Sequence, residues 1–134
     1  MTEQEYIETL PEDQQQYISH MREAMARSGV STPESMTIAI LLDGQVVPTD
    51  MTLAIIWQMN TPNYQRVALD EVGETEVSTV FMTTGFPGFN GPPRHFETMT
   101  FGPDGSKTPG RYLTLEEAKA GHASVVEKLK RRHA

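Results

Sequence analysis

Residues 65–82, QRVALDEVGETEVSTVFM, decide the fold class. Gln65 to Val72 forms one arm and Gly73 supplies a turn. In the return arm Val77, Thr79 and Phe81 alternate with Ser78, Val80 and Met82. A period of two is the signature of a strand with one buried face, so the stretch predicts an antiparallel hairpin. Upstream, Met36 to Leu42 is rich in strand formers. Asp43-Gly44 is a favoured two-residue turn, and Gln45 to Val47 returns antiparallel until Pro48 stops it. Downstream, His95 to Phe101 resumes the strand pattern. Residues 83–93 hold three glycines, three prolines and two phenylalanines and read as a loop, and residues 102–110 read as a second loop ending before Arg111-Tyr112. Four or five antiparallel strands result.

Helices flank these strands. Thr2 with Glu5, and Thr9 with Glu12 across Pro11, are each spaced as a capping box, predicting two short helices or one bent helix over residues 1–30. Tyr17, Ile18, Met21 and Met25 recur at helical steps as a narrow apolar stripe, and residues 31–35 form a polar connector. Thr49 or Asp50 caps a helix through about Met59 with Leu53, Ile56 and Trp57 on one face, broken at Pro62. Thr114 with Glu117 opens a last helix through about Arg131, on which Leu115, Ala118, His122, Val125 and Leu129 share a face. The expected fold is α+β: an acidic helical extension at 1–35, and a core at 36–134 whose sheet is closed on one face by the C-terminal helix. The N-terminal helices either cover the other face or project.

The chain of 134 residues carries a net charge of -7, and the imbalance is local. Residues 1–50 hold nine acids against Arg22 and Arg27, whereas residues 51–134 hold nine acids and nine bases. An acidic surface repels phosphate backbones and steers basic partners, so nucleic acid is disfavoured as a ligand of the whole domain. The basic cluster Lys128, Lys130, Arg131 and Arg132 falls in the last turns of a helix, where cations suit the macrodipole. The absence of cysteine excludes disulfides and thiolate chemistry, and no apolar run is long enough to span a bilayer. With no signal-peptide pattern either, a cytoplasmic protein that does not engage membranes is expected.

Several short motifs follow one another along the chain. They are Leu42-Asp43-Gly44 with Pro48, Arg66-Val67-Ala68, Glu71-Val72-Gly73, Val77-Ser78-Thr79-Val80-Phe81, Gly91-Pro92-Pro93, Phe96-Glu97-Thr98-Met99, Arg111-Tyr112, and Glu116-Glu117-Ala118 with Gly121-His122-Ala123. In this order, over about residues 41–126, the chain resembles a family of small uncharacterised bacteriophage and prophage proteins. The resemblance implies a phage origin, action in the host cytoplasm, and no established biochemistry. The chain departs from that family at Thr83-Thr84-Gly85, where relatives often carry an Asp-His pair, and in its acidic extension at 1–35.

Among residues with chemical potential, Glu97 shares a strand face with Met99 and Phe101, where an unpaired carboxylate is costly. His122, His95 and Arg111 are its candidate partners, and Glu97 with His122 forms the weak candidate for acid-base work. His95, Glu97 and His122 lack metal-ligand spacing, His133 lies in the tail, and no metal or cofactor is expected. No serine or threonine sits beside a histidine or lysine at a diagnostic spacing, and the glycine-rich 85–93 loop lacks the lysine of a phosphate cradle. Phe86 and Phe89 on that loop are candidate contact residues, with Arg94 beside it. A pocket between the sheet and the last helix is expected near Glu97, Arg111, Tyr112 and His122.

Three functions follow as expectations. The first is a non-enzymatic phage accessory protein that binds a host or phage protein, such as a host-defence system, through its acidic N-terminal surface and the 85–93 loop. In that reading Tyr17, Ile18, Met21 and Met25 dock on the partner or on a second copy. The second is a protein that binds or sequesters a nucleotide-like small ligand, and the third is a minor hydrolase.

Overall fold

The computed structural model describes residues 1–29, 37–61, 63, 66–86 and 91–132. The chain is α+β, and its described residues form four helices and two antiparallel sheets. Helix α1 (Glu3–Thr9) is opened by the Thr2/Glu5 capping box: the Thr2 hydroxyl accepts from Glu5 N–H, and the Glu5 carboxylate accepts from Thr2 N–H. Helix α2 (Glu12–Ser28) starts differently from expectation. Its N-cap is Pro11, without a side-chain cap, because Thr9 turns back and donates its hydroxyl to the Tyr6 carbonyl. Gly29 ends α2 in the left-handed conformation that glycine adopts without a Cβ penalty. Met36, the 31–35 connector, the Pro62 break and His133 lie outside the described residues.

Strands β1 (Ala39–Leu42) and β2 (Gln45–Pro48) form the small sheet, joined at Asp43-Gly44 with both residues at positive φ, as a tight hairpin turn requires. Helix α3 (Met51–Asn60) follows, with the Asp50 carboxylate accepting from Leu53 N–H at 2.9 Å as its cap. Strands β3 (Arg66–Val72), β4 (Thr75–Phe86), β5 (Arg94–Gly102) and β6 (Gly105–Tyr112) form the large sheet as a meander in sequence order.

Two stretches expected as loop are strand. Residues 83–86 extend β4 because they gain a second partner: Ile38 bridges Thr84, Gly85 N–H donates to the Thr37 carbonyl, and Phe86 pairs with Arg94. Residues 105–110 belong to β6, an edge strand whose register shifts between Thr98 and Thr100 of its partner. Pro109 is accommodated opposite that irregularity, where a missing N–H costs no ladder bond.

The two faces of the large sheet differ. Val72, Val77, Thr79, Phe81, Phe96 and Thr98 point to one face, and helix α4 (Leu115–Arg132) lies across it, burying Ala118, His122 and Val126. The Thr114 hydroxyl caps α4 by accepting from Glu117 N–H. The core continues from Phe81 and Phe96 into α3, where Trp57 meets Phe81 edge to face at 5.6 Å. The N-terminal helices neither cover the opposite face nor project. Ile7, Leu10 and Ile18 are buried in the same cluster as Phe81, and α2 packs on α3. Arg22 ties the three helices together, donating to Glu3 and to Asp50 at 2.7 Å each. The opposite face of the sheet leaves Leu69 42% and Phe101 43% exposed. No described helix is long and apolar enough to cross a membrane.

Candidate functional site

The sheet separates the two residues that the sequence suggested as an acid-base pair. Glu97 lies on the open face and accepts from Arg111 Nε at 2.9 Å, and the Arg111 guanidinium stacks 3.9 Å from the centre of the Phe86 ring. Arg94 donates to the Arg111 carbonyl at 3.4 Å. These four residues form one surface cluster, with Glu97 buried beneath the arginine. Phe89 lies outside the described residues.

His122 lies on the covered face, under α4. Its Nε2 is 2.7 Å from an Asp70 carboxylate oxygen and its Nδ1 is 2.7 Å from the Thr79 hydroxyl, which is itself 2.6 Å from the Thr98 hydroxyl. A neutral imidazole satisfies the whole chain: Nε2–H donates to Asp70, Thr79 O–H donates to Nδ1, and Thr98 O–H donates to Thr79. Acid, imidazole and hydroxyl stand in the order of a hydrolytic triad. Thr79 and Thr98 are nevertheless fully buried between sheet and helix, so no substrate reaches the hydroxyl. The arrangement holds α4 to the sheet. Sequence spacing concealed it, since Thr79 and Asp70 stand 43 and 52 positions from His122.

His95 is buried too. Its Nδ1–H donates to the Met82 carbonyl at 2.7 Å and its ring stacks on Phe81. Burial holds its pKa below the usual 6.5, against a smaller opposing effect of the Met82 bond. Among the described residues, no group of three or more histidines and acids is placed to hold a metal ion. The N-terminal stripe is largely spent on the core: Ile18 is buried and Met21 and Met25 are half-buried, while Tyr17 faces solvent.

A cleft of about 690 Å³ opens between α4 and the β5–β6 hairpin on the covered face. Tyr112, Val125 and Leu129 supply apolar surface, and Lys107, Lys128 and Arg132 stand around it, with Asp104 as the one acid among the described lining residues. Of the residues expected at a sheet–helix pocket, Tyr112 lines this cleft; Glu97, Arg111 and His122 do not. Lys107, Lys128 and Arg132 have no ion pair among the described residues. The Tyr112 ring is seated between Gly110 and Gly121, where a Cβ at either position would overlap it. Lys107 reads as part of a loop in the sequence; only the pairing of β6 on β5 brings it opposite the end of α4.

No known family model, curated protein or solved structure matches the chain.

Proposed function

We propose that this is a small non-enzymatic binding protein whose ligand is an anion carrying a flat or apolar group, nucleotide-like in character, held in the cleft between α4 and the β5–β6 hairpin. The observation that carries the reading is the convergence of Lys107 with Lys128 and Arg132 around Tyr112, Val125 and Leu129 in a chain of net charge -7. Lys128 and Arg132 alone are accounted for by the dipole of α4. Lys107 comes from a different element, and its presence makes a local positive field over an apolar floor. The volume falls within the range of about 300–1,000 Å³ typical of small-ligand sites. Binding rather than catalysis fits, because the hydroxyl in the Asp70–His122–Thr79 chain is sealed and the described residues that line the cleft include no histidine.

Calorimetric titration with a mononucleotide, its nucleoside and inorganic phosphate tests this. The mononucleotide should bind more tightly than either fragment, more weakly as salt rises, and at least about tenfold more weakly to the Lys107→Ala/Lys128→Ala variant, as expected when charge-assisted hydrogen bonds are lost. Equal binding by the variant, or no binding of any of the three, would sink the reading.

A protein partner is the second reading, and one observation favours it. Arg22 is consumed internally by Glu3 and Asp50, while Glu5, Glu8, Glu12, Asp13 and Glu23 remain exposed on α1 and α2. Such a surface suits a basic partner. The resemblance to phage proteins and the absence of cysteine support the cytoplasm of an infected host as the setting. Deleting residues 1–30 would strip Ile7, Leu10 and Ile18 from the core, so the surface is tested by charge reversal, Glu8→Lys with Glu12→Lys. Loss of a co-purifying basic host protein supports the reading, and its retention counts against it.

A further inference from the structure

We infer that the open face of the large sheet is a self-association surface, on which two copies of this chain pack face to face about a two-fold axis lying across the strands. The pairing registers place Glu71 beside Glu76 at the end nearest the β3–β4 turn, with Phe101 next to Glu76. Leu69, Ser78 and Met99 form the next row, and then Arg66, Val80, Glu97 and Arg111. Arg94 joins this last group through its bond to the Arg111 carbonyl. The face is therefore apolar in its middle, acidic at one end and predominantly basic at the other.

Charge selects the occupant. Glu71, Glu76 and Glu97 against Arg66, Arg94 and Arg111 make this face balanced, three against three, although the chain carries -7 overall. Two acidic molecules approach with least repulsion through a balanced face. A two-fold axis across the strands reverses their direction in the partner, so the Glu71/Glu76 end of each copy meets the Arg66/Arg94 end of the other. The same patch thus complements itself, as an isologous interface requires. Leu69 and Phe101, 42% and 43% exposed, supply the apolar area that such a contact buries. This surface is distinct from the N-terminal helices, whose Ile18 is already buried in the core, and it does not involve the cleft.

Sedimentation velocity on the full chain, over a wide concentration range and at two salt concentrations, tests the inference. A reversible dimer is expected, weakened by salt, with a dissociation constant raised at least about tenfold by Phe101→Asp or, as an independent variant at another exposed site, Leu69→Lys. Circular dichroism confirms that each variant is folded. The decisive arm is charge exchange. The Glu71→Arg/Glu76→Arg and Arg66→Glu/Arg94→Glu variants should each be monomeric alone and should associate when mixed. A chain that stays monomeric at every concentration overturns the inference and leaves the face to a partner of another kind. A dimer that survives both the apolar and the charge variants overturns it as well.

Discussion

His122 on α4 and Asp70 on β3 meet at 2.7 Å across the covered face of the sheet, and the imidazole's other nitrogen reaches Thr79 on the neighbouring strand at the same distance. One side chain therefore fastens the last helix to two strands. A buried imidazole is costly unless both nitrogens are satisfied, and here both are.

Removing the Thr79 hydroxyl should expose this cost. Thr79→Val keeps the shape but leaves Nδ1 without a donor, and is expected to destabilise the fold by about 1–3 kcal/mol in urea unfolding. Asp70 is more than half exposed, so water can replace it, and Asp70→Ala should cost less, about 0.5–1.5 kcal/mol. The reverse ranking would mean that the solvent-facing pair holds the helix.

Gly121 offers a test with an inverted sign. In an exposed helix Gly→Ala gains about 1 kcal/mol, but here the new Cβ would overlap the Tyr112 ring. Gly121→Ala should instead destabilise by about 1–3 kcal/mol through overpacking. The double variant with Tyr112→Ala should lose less than the sum of the single losses, because the clash is then gone. Additive losses in thermal or urea unfolding would show that the ring is free to move aside.

Local chemistry made much of this fold legible before the chain was seen folded. The Thr2/Glu5 box, the Asp43-Gly44 turn, the Asp50 cap and the periodicity of α4 are each settled within a few residues, and each stands as the sequence implied. The unread parts depend on distant partners. Residues 83–86 are strand because Thr37 and Ile38 lie alongside, and Pro109 fits because β6 is an edge. The candidate site suffered most from this. Period two grouped Glu97 with Met99 and Phe101 but did not say which side of the sheet the last helix covers, and nothing in the spacing tied His122 to Thr79, or Lys107 to Lys128.

The pH dependence of stability should report on His95. Its pKa is lowered in the folded chain by burial, so the unfolded chain binds more protons as pH falls through the usual value of 6.5. Stability contributed by the neutral ring is therefore fully present above that pH and is lost toward the lower folded pKa. The wild-type chain should lose stability as pH falls below about 6.5. His95→Gln should flatten that part of the profile while lowering stability at neutral pH, as the stack on Phe81 is removed. An unchanged slope in urea titrations at several pH values would assign the loss to another group.

Arg111 joins the open face to the Phe86/Arg94 end of the sheet, and its two contacts can be separated. The Glu97 side chain is only 9% exposed and depends on the guanidinium, so Arg111→Ala strands a carboxylate at a site that favours neither water nor charge. A fully buried ion pair broken this way costs about 3–5 kcal/mol, but Arg111 is 44% exposed, and screening should bring the loss to about 1–2 kcal/mol. Adding Glu97→Gln to Arg111→Ala should recover part of it, since the amide needs no counter-charge. Arg111→Lys keeps the charge but not the planar stack on Phe86, so it should fall between wild type and alanine. Urea unfolding of these three variants, with Glu97→Gln alone as the fourth, closes the cycle. If lysine matches wild type, the ion pair holds this corner; if lysine matches alanine, the arginine's work is done by its stack on Phe86.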